Sequence, residues 1–219
     1  MAEGPVVIRS YTEADIPQLL EVQRECFPPP YPEEQLWTPE QLRSHIAVFP
    51  AGALCAEIDG KVVASCTSLI IAFDPAHPQH TWAEVSDNGY IRTHNPRGNT
   101  LYGIDIAVRP AYRGRGIARL LYRARFDLVV RLGLERFLTA SRMPGYHRHA
   151  GTLTVEEYAQ RVIAGELADP VITPQLRAGL RPVAVVRDYI PDEESANAAL
   201  LLEWPNPHVE VNGVAATCQ

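Results

Sequence analysis

Long apolar runs are missing from this chain. Nowhere in its 219 residues does an uninterrupted apolar stretch approach the roughly 18 residues of a membrane span. The N-terminal MAEGPVVIRS has neither a basic n-region nor an apolar h-region, so no secretion signal is expected. Cysteine is scarce. Cys26, Cys55, Cys66 and Cys218 form no CxxC pair and fit no zinc template, so no metal site is expected. They read as reduced thiols of a cytoplasmic protein. An excess of basic residues is also lacking: 20 Lys+Arg face 26 Asp+Glu, a formal net charge of -6. A general nucleic-acid-binding or anionic-membrane surface is therefore not expected. Two nucleotide signatures are absent as well. No G-x-x-x-x-G-K-[ST] occurs, and Arg119 stands where Gly114 and Gly116 would need a third glycine for G-x-G-x-x-G.

What is present suits a folded domain. At 46% hydrophobic and 21% charged, the chain can bury a core without disulfides or a structural metal. It reads as one domain over residues 1–207, with an insert at 74–100 and a C-terminal tail at 208–219. Residues 5–11 predict a strand and 12–26 a helix, which the proline cluster at 28–32 breaks. A second helix is expected at 38–47, with Thr38 as cap and Pro39 in the first turn. Residues 52–71 read as a hairpin turning at Asp59-Gly60. The insert is polar and proline-rich, and a long irregular stretch inside a compact domain is usually functional. TWAEV and YIRTH around Asn88-Gly89 suggest a small hairpin within it.

Residues 101–109 predict a central strand and Gly116 to Leu132 a helix. That helix has an apolar stripe of Ile117, Leu121, Ala124, Leu128 and Leu132 and a stop at Gly133. A strand at 135–141, helices at 154–166 and 171–178, and strands at 181–190 and 198–204 complete the chain. Hairpins mixed with a β-α-β crossover predict an α/β fold with a mixed sheet and helices on both faces.

The chemistry concentrates where the strand at 101–109 turns into its helix. The first N–H groups of a helix lack internal partners, and the dipole makes that end positive. Gly114 and Gly116 remove the Cβ atoms that would hold an anion off the backbone. The amides of Gly114, Arg115, Gly116, Ile117 and Ala118 can then wrap a pyrophosphate, with charge added by Arg113 and Arg115. Asp105, a carboxylate amid Ile104, Ile106 and Val108, needs a reason and is a candidate general base. Tyr102, on the opposite alternation parity, and Glu84 in the insert are further candidates. The pairs His77–His80 and His147–His149 lack a clear third metal ligand. His94, Trp82 and Trp204 read as pocket or packing residues.

The run V-R-P-A-Y-R-G-R-G-I-A-R-L-L resembles the acetyl-CoA-binding motif of the GNAT superfamily of N-acetyltransferases. Its Arg/Gln-x-x-Gly-x-Gly/Ala pattern is met by Arg113, Gly116 and Ala118, and the element order matches over about residues 5–204. The resemblance implies a mostly antiparallel sheet splayed between its fourth and fifth main strands. It also implies that main-chain groups of Ile106, Ala107 and Val108 hold the acetyl carbonyl and pantetheine arm. The activity implied is transfer of an acyl group from acetyl-CoA to the amine of a small or amino-acid-like acceptor. The catalytic residues expected are Asp105 and Tyr146, with a homodimer as the possible assembly.

The family's usual acid is a tyrosine before the next-to-last strand. Gln175 stands in that place, which moves the expectation to Tyr146 or Tyr158 and leaves open a module that binds acyl-CoA without turnover. More narrowly, SRMPGYHRHA and DYIPDEES resemble the acetyltransferase-like domain that precedes a nitrilase-type carbon–nitrogen hydrolase in some bacterial proteins. The hydrolase chemistry itself is not expected of these residues.

Overall fold

A computed structural model of the protein describes residues 4–29 and 31–209. The residue range 210–219, with most of the expected tail and Cys218, lies outside the described residues. Seven strands form one sheet: β1 (Val7–Ser10), β2 (Ala53–Ile58), β3 (Lys61–Ile71), β4 (Thr100–Val108), β5 (Arg136–Arg142), β6 (Arg181–Val186) and β7 (Ala199–Pro205). Their spatial order is β1-β2-β3-β4-β5-β7-β6, and only β4 and β5 pair in parallel. Asp59 and Gly60 both take left-handed conformations, which turns β2 into β3 at the expected hairpin.

The helices α1 (Ile16–Cys26) and α2 (Pro39–Val48) cover one face. Leu19, Val22 and Leu42 pack there on Tyr102, Ile104 and Leu201. The other face carries α4 (Ile117–Leu132), α5 (Val155–Ile163) and α6 (Ile172–Arg177), with Tyr122, Leu128, Tyr158 and Ile172 against Leu101, Phe137 and Leu202. Each such fully buried apolar side chain contributes about 1.5–3 kcal/mol. Burial also decides the cysteines. The thiols of Cys55 and Cys66 are pushed up to about 12 and about 11, which keeps them protonated and inert.

The structure departs from the expectation in three places. The insert holds no hairpin: Trp82–Ser86 form the short helix α3, because Thr81 and Glu84 close a capping box on it. Leu132 is 43% exposed, because α4 ends there, and the inward stripe is instead Ile117, Leu121, Tyr122, Arg125, Leu128 and Val129. The third departure is a β-bulge in β4. Thr67 pairs with Asp105 but Ser68 pairs with Gly103, so Ile104 is an extra residue. Simple alternation puts Tyr102 and Asp105 on opposite faces; the bulge puts Tyr102, Ile104 and Asp105 on the same one.

Helix α2 grips the insert through side-chain bonds to its backbone. Gln41 Nε2 donates to the Asn88 carbonyl at 2.8 Å, Ser44 to the Tyr90 carbonyl at 2.6 Å, and His45 Nε2 to the Gly89 carbonyl at 2.6 Å. That bond fixes the His45 tautomer, so Nδ1 accepts the Tyr11 hydroxyl at 2.8 Å. Ile91, fully buried, is held at φ 52°, a strained conformation for a β-branched residue that the surrounding insert must enforce.

Burial lowers the His45 pKa from its ordinary 6.5. The unfolded chain therefore binds a proton at mildly acid pH that the folded chain refuses. Folding stability is expected to be level above pH about 6.5 and to fall as pH drops below it. Asp15, held down to about 2 chiefly by Arg9, stays charged through that window. Denaturant midpoints measured from pH 8 to pH 5 check this. His45→Gln should flatten the slope without abolishing it, because burial lowers His80 and His94 in the same direction.

Candidate active site

Strands β4 and β5 pair only over Thr100–Gly103 against Arg136–Thr139. Beyond that point Ile104–Val108 of β4 and Ala140–Arg142 of β5 diverge into a V. At its apex the Thr139 hydroxyl donates to the Gly103 carbonyl at 2.9 Å. A Cβ on Gly103 would lie 2.8 Å from the Phe137 ring, so only glycine fits there. The Arg109 N–H bonds the Val63 carbonyl at 2.9 Å. Alternation along the antiparallel ladder then turns the Ile106 and Val108 amides toward the V, while Ala107 faces β3. Of the three residues expected to supply main-chain contacts, Ile106 and Val108 thus have their amides available.

The loop from β4 to α4 lies at the open end of the V. Gly114 and Gly116 adopt φ +77° and +79°, and nothing stands within 4 Å of where either Cβ would be. Gly116 is the N-cap of α4 and gives it no side-chain cap. Among the described residues, the amides of Gly116, Ile117, Ala118 and Arg119 have no acceptor. The Arg113 guanidinium folds back on the Val108 carbonyl at 3.1 Å, and Arg115 stacks over the Tyr112 ring. An open cradle of unpaired amides flanked by arginines fits a pyrophosphate.

Two polar groups line the V, one on each face of the sheet. On the α4 side, Gln175 Nε2 donates to the Tyr122 hydroxyl at 2.7 Å and to Ser141 Oγ at 2.8 Å. Among the described residues, Gln175 Oε1 is buried and has no hydrogen-bond partner. Beneath them Arg125, 1% exposed, sends Nη2 to the Thr67 carbonyl at 2.8 Å and to the Asp105 carbonyl, the strand pair on one flank of the bulge. On the α1/α2 side, Asp105 is half-buried. Its Oδ1 accepts the Thr67 amide at 2.6 Å and its Oδ2 the Trp37 indole N–H at 3.3 Å. Beside it, the Trp82 indole donates to the Ile104 carbonyl at 3.1 Å, and the Tyr102 hydroxyl lies 2.7 Å from His80 Nε2.

The two residues expected to do the acid–base work are not brought together. Asp105 faces the α1/α2 side, whereas Tyr146 packs on the α5/α6 side. The Tyr146 hydroxyl donates to the Leu153 carbonyl at 3.1 Å, a bond that ties down its own loop. The Tyr158 hydroxyl is committed to Asp169 at 2.9 Å. Glu84 is spent on the α3 capping box, and Trp204 stacks on Phe126. Tyr122, Arg125 and the Tyr102–His80 contact escaped the sequence reading. Arg125 did leave a signal: it stands four residues after Leu121 and three before Leu128, at a core step of α4.

Among the described residues, no helix is long and apolar enough to cross a membrane, and no group of three or more His, Cys, Asp or Glu is placed to hold a metal ion.

Comparison with known proteins agrees with this geometry. The family model of the acetyltransferase (GNAT) family matches residues 16–150. The uncharacterized N-acetyltransferase YkwB of Bacillus subtilis (strain 168) is 47% identical over 201 residues, covering 92% of this chain and 89% of that one. The probable hydrolase YhcX of the same organism is 40% identical over 205 residues, 93% of this chain but only 39% of that protein. In fold, the GphF GNAT-like decarboxylase, solved in complex with isobutyryl-CoA, superposes with a TM-score of 0.75 at 22% identity, over 91% of this chain and 99% of that one. The splayed sheet and amide cradle define an acyl-CoA-dependent transferase class. The chain belongs to the acetyltransferase (GNAT) family, enzymes that move an acyl group from a CoA thioester to an amine.

The cradle makes a specific demand on Gly116. A β-branched side chain at φ +79° is strained, and it would fill the space an anion needs. Gly116→Val is expected to weaken acetyl-CoA binding at least tenfold, about 1.4 kcal/mol, with far-UV circular dichroism unchanged. Isothermal titration calorimetry measures it.

Proposed function

We propose that the protein acetylates a small, amine-bearing acceptor by direct attack on acetyl-CoA, with thioester and amine meeting in the V between β4 and β5. The observation that carries this reading is the continuity of the open amide cradle with the splayed strand edge. In it, the amides of residues 114–118 hold the pyrophosphate, with Arg113 and Arg115 adding charge. The Ile106 and Val108 amides face the thioester oxygen. A donor aimed at the developing oxyanion contributes about 3–4 kcal/mol at the transition state.

Tyr122, in place of Tyr146, is the proposed donor to the leaving thiolate. Gln175 bonds to its oxygen, which leaves the phenolic hydrogen directed elsewhere, and Ser141 anchors Gln175 on the diverging part of β5. Asp105 supplies negative charge on the acceptor face and draws a cationic amine toward the V. The small acceptor fits the cover that α2 and the insert place over that face. The narrower kinship, with the acetyltransferase-like part of a longer hydrolase, is supported by YhcX, of which this chain spans 39%.

Thermal-shift titration with acetyl-CoA should stabilise the fold by about 2.7 kcal/mol at a hundred times the dissociation constant. Thiol release should appear with at least one of glycine, phenylethylamine and spermidine. Tyr122→Phe should lower kcat about a hundredfold with acetyl-CoA affinity unchanged. Asp105→Asn should act mainly on KM for the amine. Absence of both stabilisation and thiol release would sink the reading.

A further inference from the structure

On the α1/α2 face, two buried tyrosines and a half-buried histidine have no part in the chemistry described so far. Tyr102 belongs to the last paired stretch of β4 and is fully buried. Its hydroxyl lies 2.7 Å from His80 Nε2 and 3.0 Å from the Tyr189 hydroxyl. Burial, the largest influence, pushes that hydroxyl well above its ordinary 10 and keeps it protonated, against a smaller opposing pull from the amide of Ala140, the first β5 residue without a β4 partner. The Tyr102 hydroxyl therefore sits at the apex of the V, on the face from which an acceptor approaches.

The imidazole is held in one tautomer. His80 Nδ1 is 2.7 Å from the Pro78 carbonyl, which can only accept, so Nδ1 carries the hydrogen and Nε2 presents a lone pair to the Tyr102 O–H, whose single hydrogen has the Tyr189 oxygen at 3.0 Å as its alternative acceptor. Both tyrosine rings meet the imidazole edge-on, at 5.4 and 5.7 Å between centroids. The outer edge of His80 lines a pocket of about 420 Å³ together with Asp74, His77 and Glu84. A continuous line of proton-carrying groups thus runs from the apex of the V, through Tyr102 and His80, to an open pocket.

We propose that Tyr102 and His80 are the relay through which the attacking amine loses its proton. The proposal rests on the acyl-transfer reading above. As the amine nitrogen uses its lone pair to form the C–N bond, its surplus proton passes to the Tyr102 oxygen. The Tyr102 hydrogen passes to His80 Nε2 in the same movement. The electron pair of the breaking C–S bond stays on sulfur, which is protonated from the other face of the sheet. The imidazolium then discharges into the pocket. Tyr102 touches the amine; His80 acts through it as a positioning and storage group.

Asp105 is less suited to this step, since each of its oxygens already accepts an N–H. The groups facing His80 are Tyr102 from β4, Tyr189 after β6, Glu84 on α3, and Asp74 and His77 within the insert. Burial, the largest influence, keeps His80 below its ordinary 6.5, against the opposing pull of the Pro78 carbonyl and Glu84. His80 is therefore neutral, and ready to accept, at pH 7.

The test uses acetyl-CoA with the glycine, phenylethylamine and spermidine panel, reading thiol release from pH 5 to pH 9. The wild type should lose kcat/KM, reckoned on the neutral amine, on the acid side of pH 7, at a pH below the ordinary histidine value of about 6.5. His80→Gln and Tyr102→Phe should each cut kcat about a hundredfold and remove that acid limb, with acetyl-CoA affinity within about twofold of wild type. His80→Gln lies at the pocket rim and keeps the test decisive should Tyr102→Phe fail to fold. Nitrogen NMR of the His80 ring should show a protonated Nδ1 and a bare Nε2. An active wild type with an equally active His80→Gln enzyme and an unchanged acid limb overturns the relay alone, as does a protonated Nε2. A wild type that releases no thiol overturns the transfer reading, and the relay with it.

Discussion

One buried guanidinium sets the geometry on which both halves of the site depend. Arg125 lies in the core, pairs with no carboxylate among the described residues, and bonds the carbonyls of Thr67 and Asp105, the strand pair that flanks the β4 bulge. An unpaired charge in such a place costs several kcal/mol unless its donors find strong acceptors. Carbonyls left free beside a bulge are such acceptors, and Arg125 takes two of them. Phe137 and the bare backbone of Gly103 complete the seat. The bulge beside Arg125 lies where the β4–β5 pairing ends, and that bulge turns Asp105 onto the same face as Tyr102.

The sheet then acts as a partition. The α4 cradle proposed for CoA and the Tyr122–Gln175–Ser141 cluster lie on one side. Asp105, Trp37, Trp82 and the Tyr102–His80–Tyr189 cluster lie on the other. The reacting atoms need to meet only where the strands part. Such a division keeps a proton donor for sulfur and a proton acceptor for nitrogen from neutralising one another directly, because main chain stands between them. It also reconciles an acidic chain with an anionic cosubstrate: the arginines of the loop are local, and the helix end adds its own positive field.

The insert gives the acceptor face its particular character. It is tied to α2 by three bonds to main-chain carbonyls and to β4 by Trp82. The strain at Ile91 is tolerated because neighbours on both sides of it are fixed. Because the insert also carries His80, any acceptor that rearranges it alters the proton path along with the pocket wall. Binding and chemistry on that face are therefore mechanically linked.

Local rules sufficed for much of this protein. The hairpin at Asp59-Gly60, the strand-to-helix turn at Gly114 and Gly116 and the mixed sheet all follow from turn chemistry and hydrophobic period, which act over a few residues. The Thr81–Glu84 capping box was equally local, and it outweighed the hairpin suggested by Asn88-Gly89. What the chain could not disclose by itself were contacts between distant segments. At the bulge, Arg125 reaches across from a helix to carbonyls of residues 20 and 58 positions away. Tyr102 meets His80 only because the insert folds back over β4, and Tyr122 meets Gln175 only because α6 docks beside α4. A one-residue register slip reverses which face a side chain sees. Pairing between strands, not the order of residues along one of them, therefore decided where Asp105 and Tyr102 point.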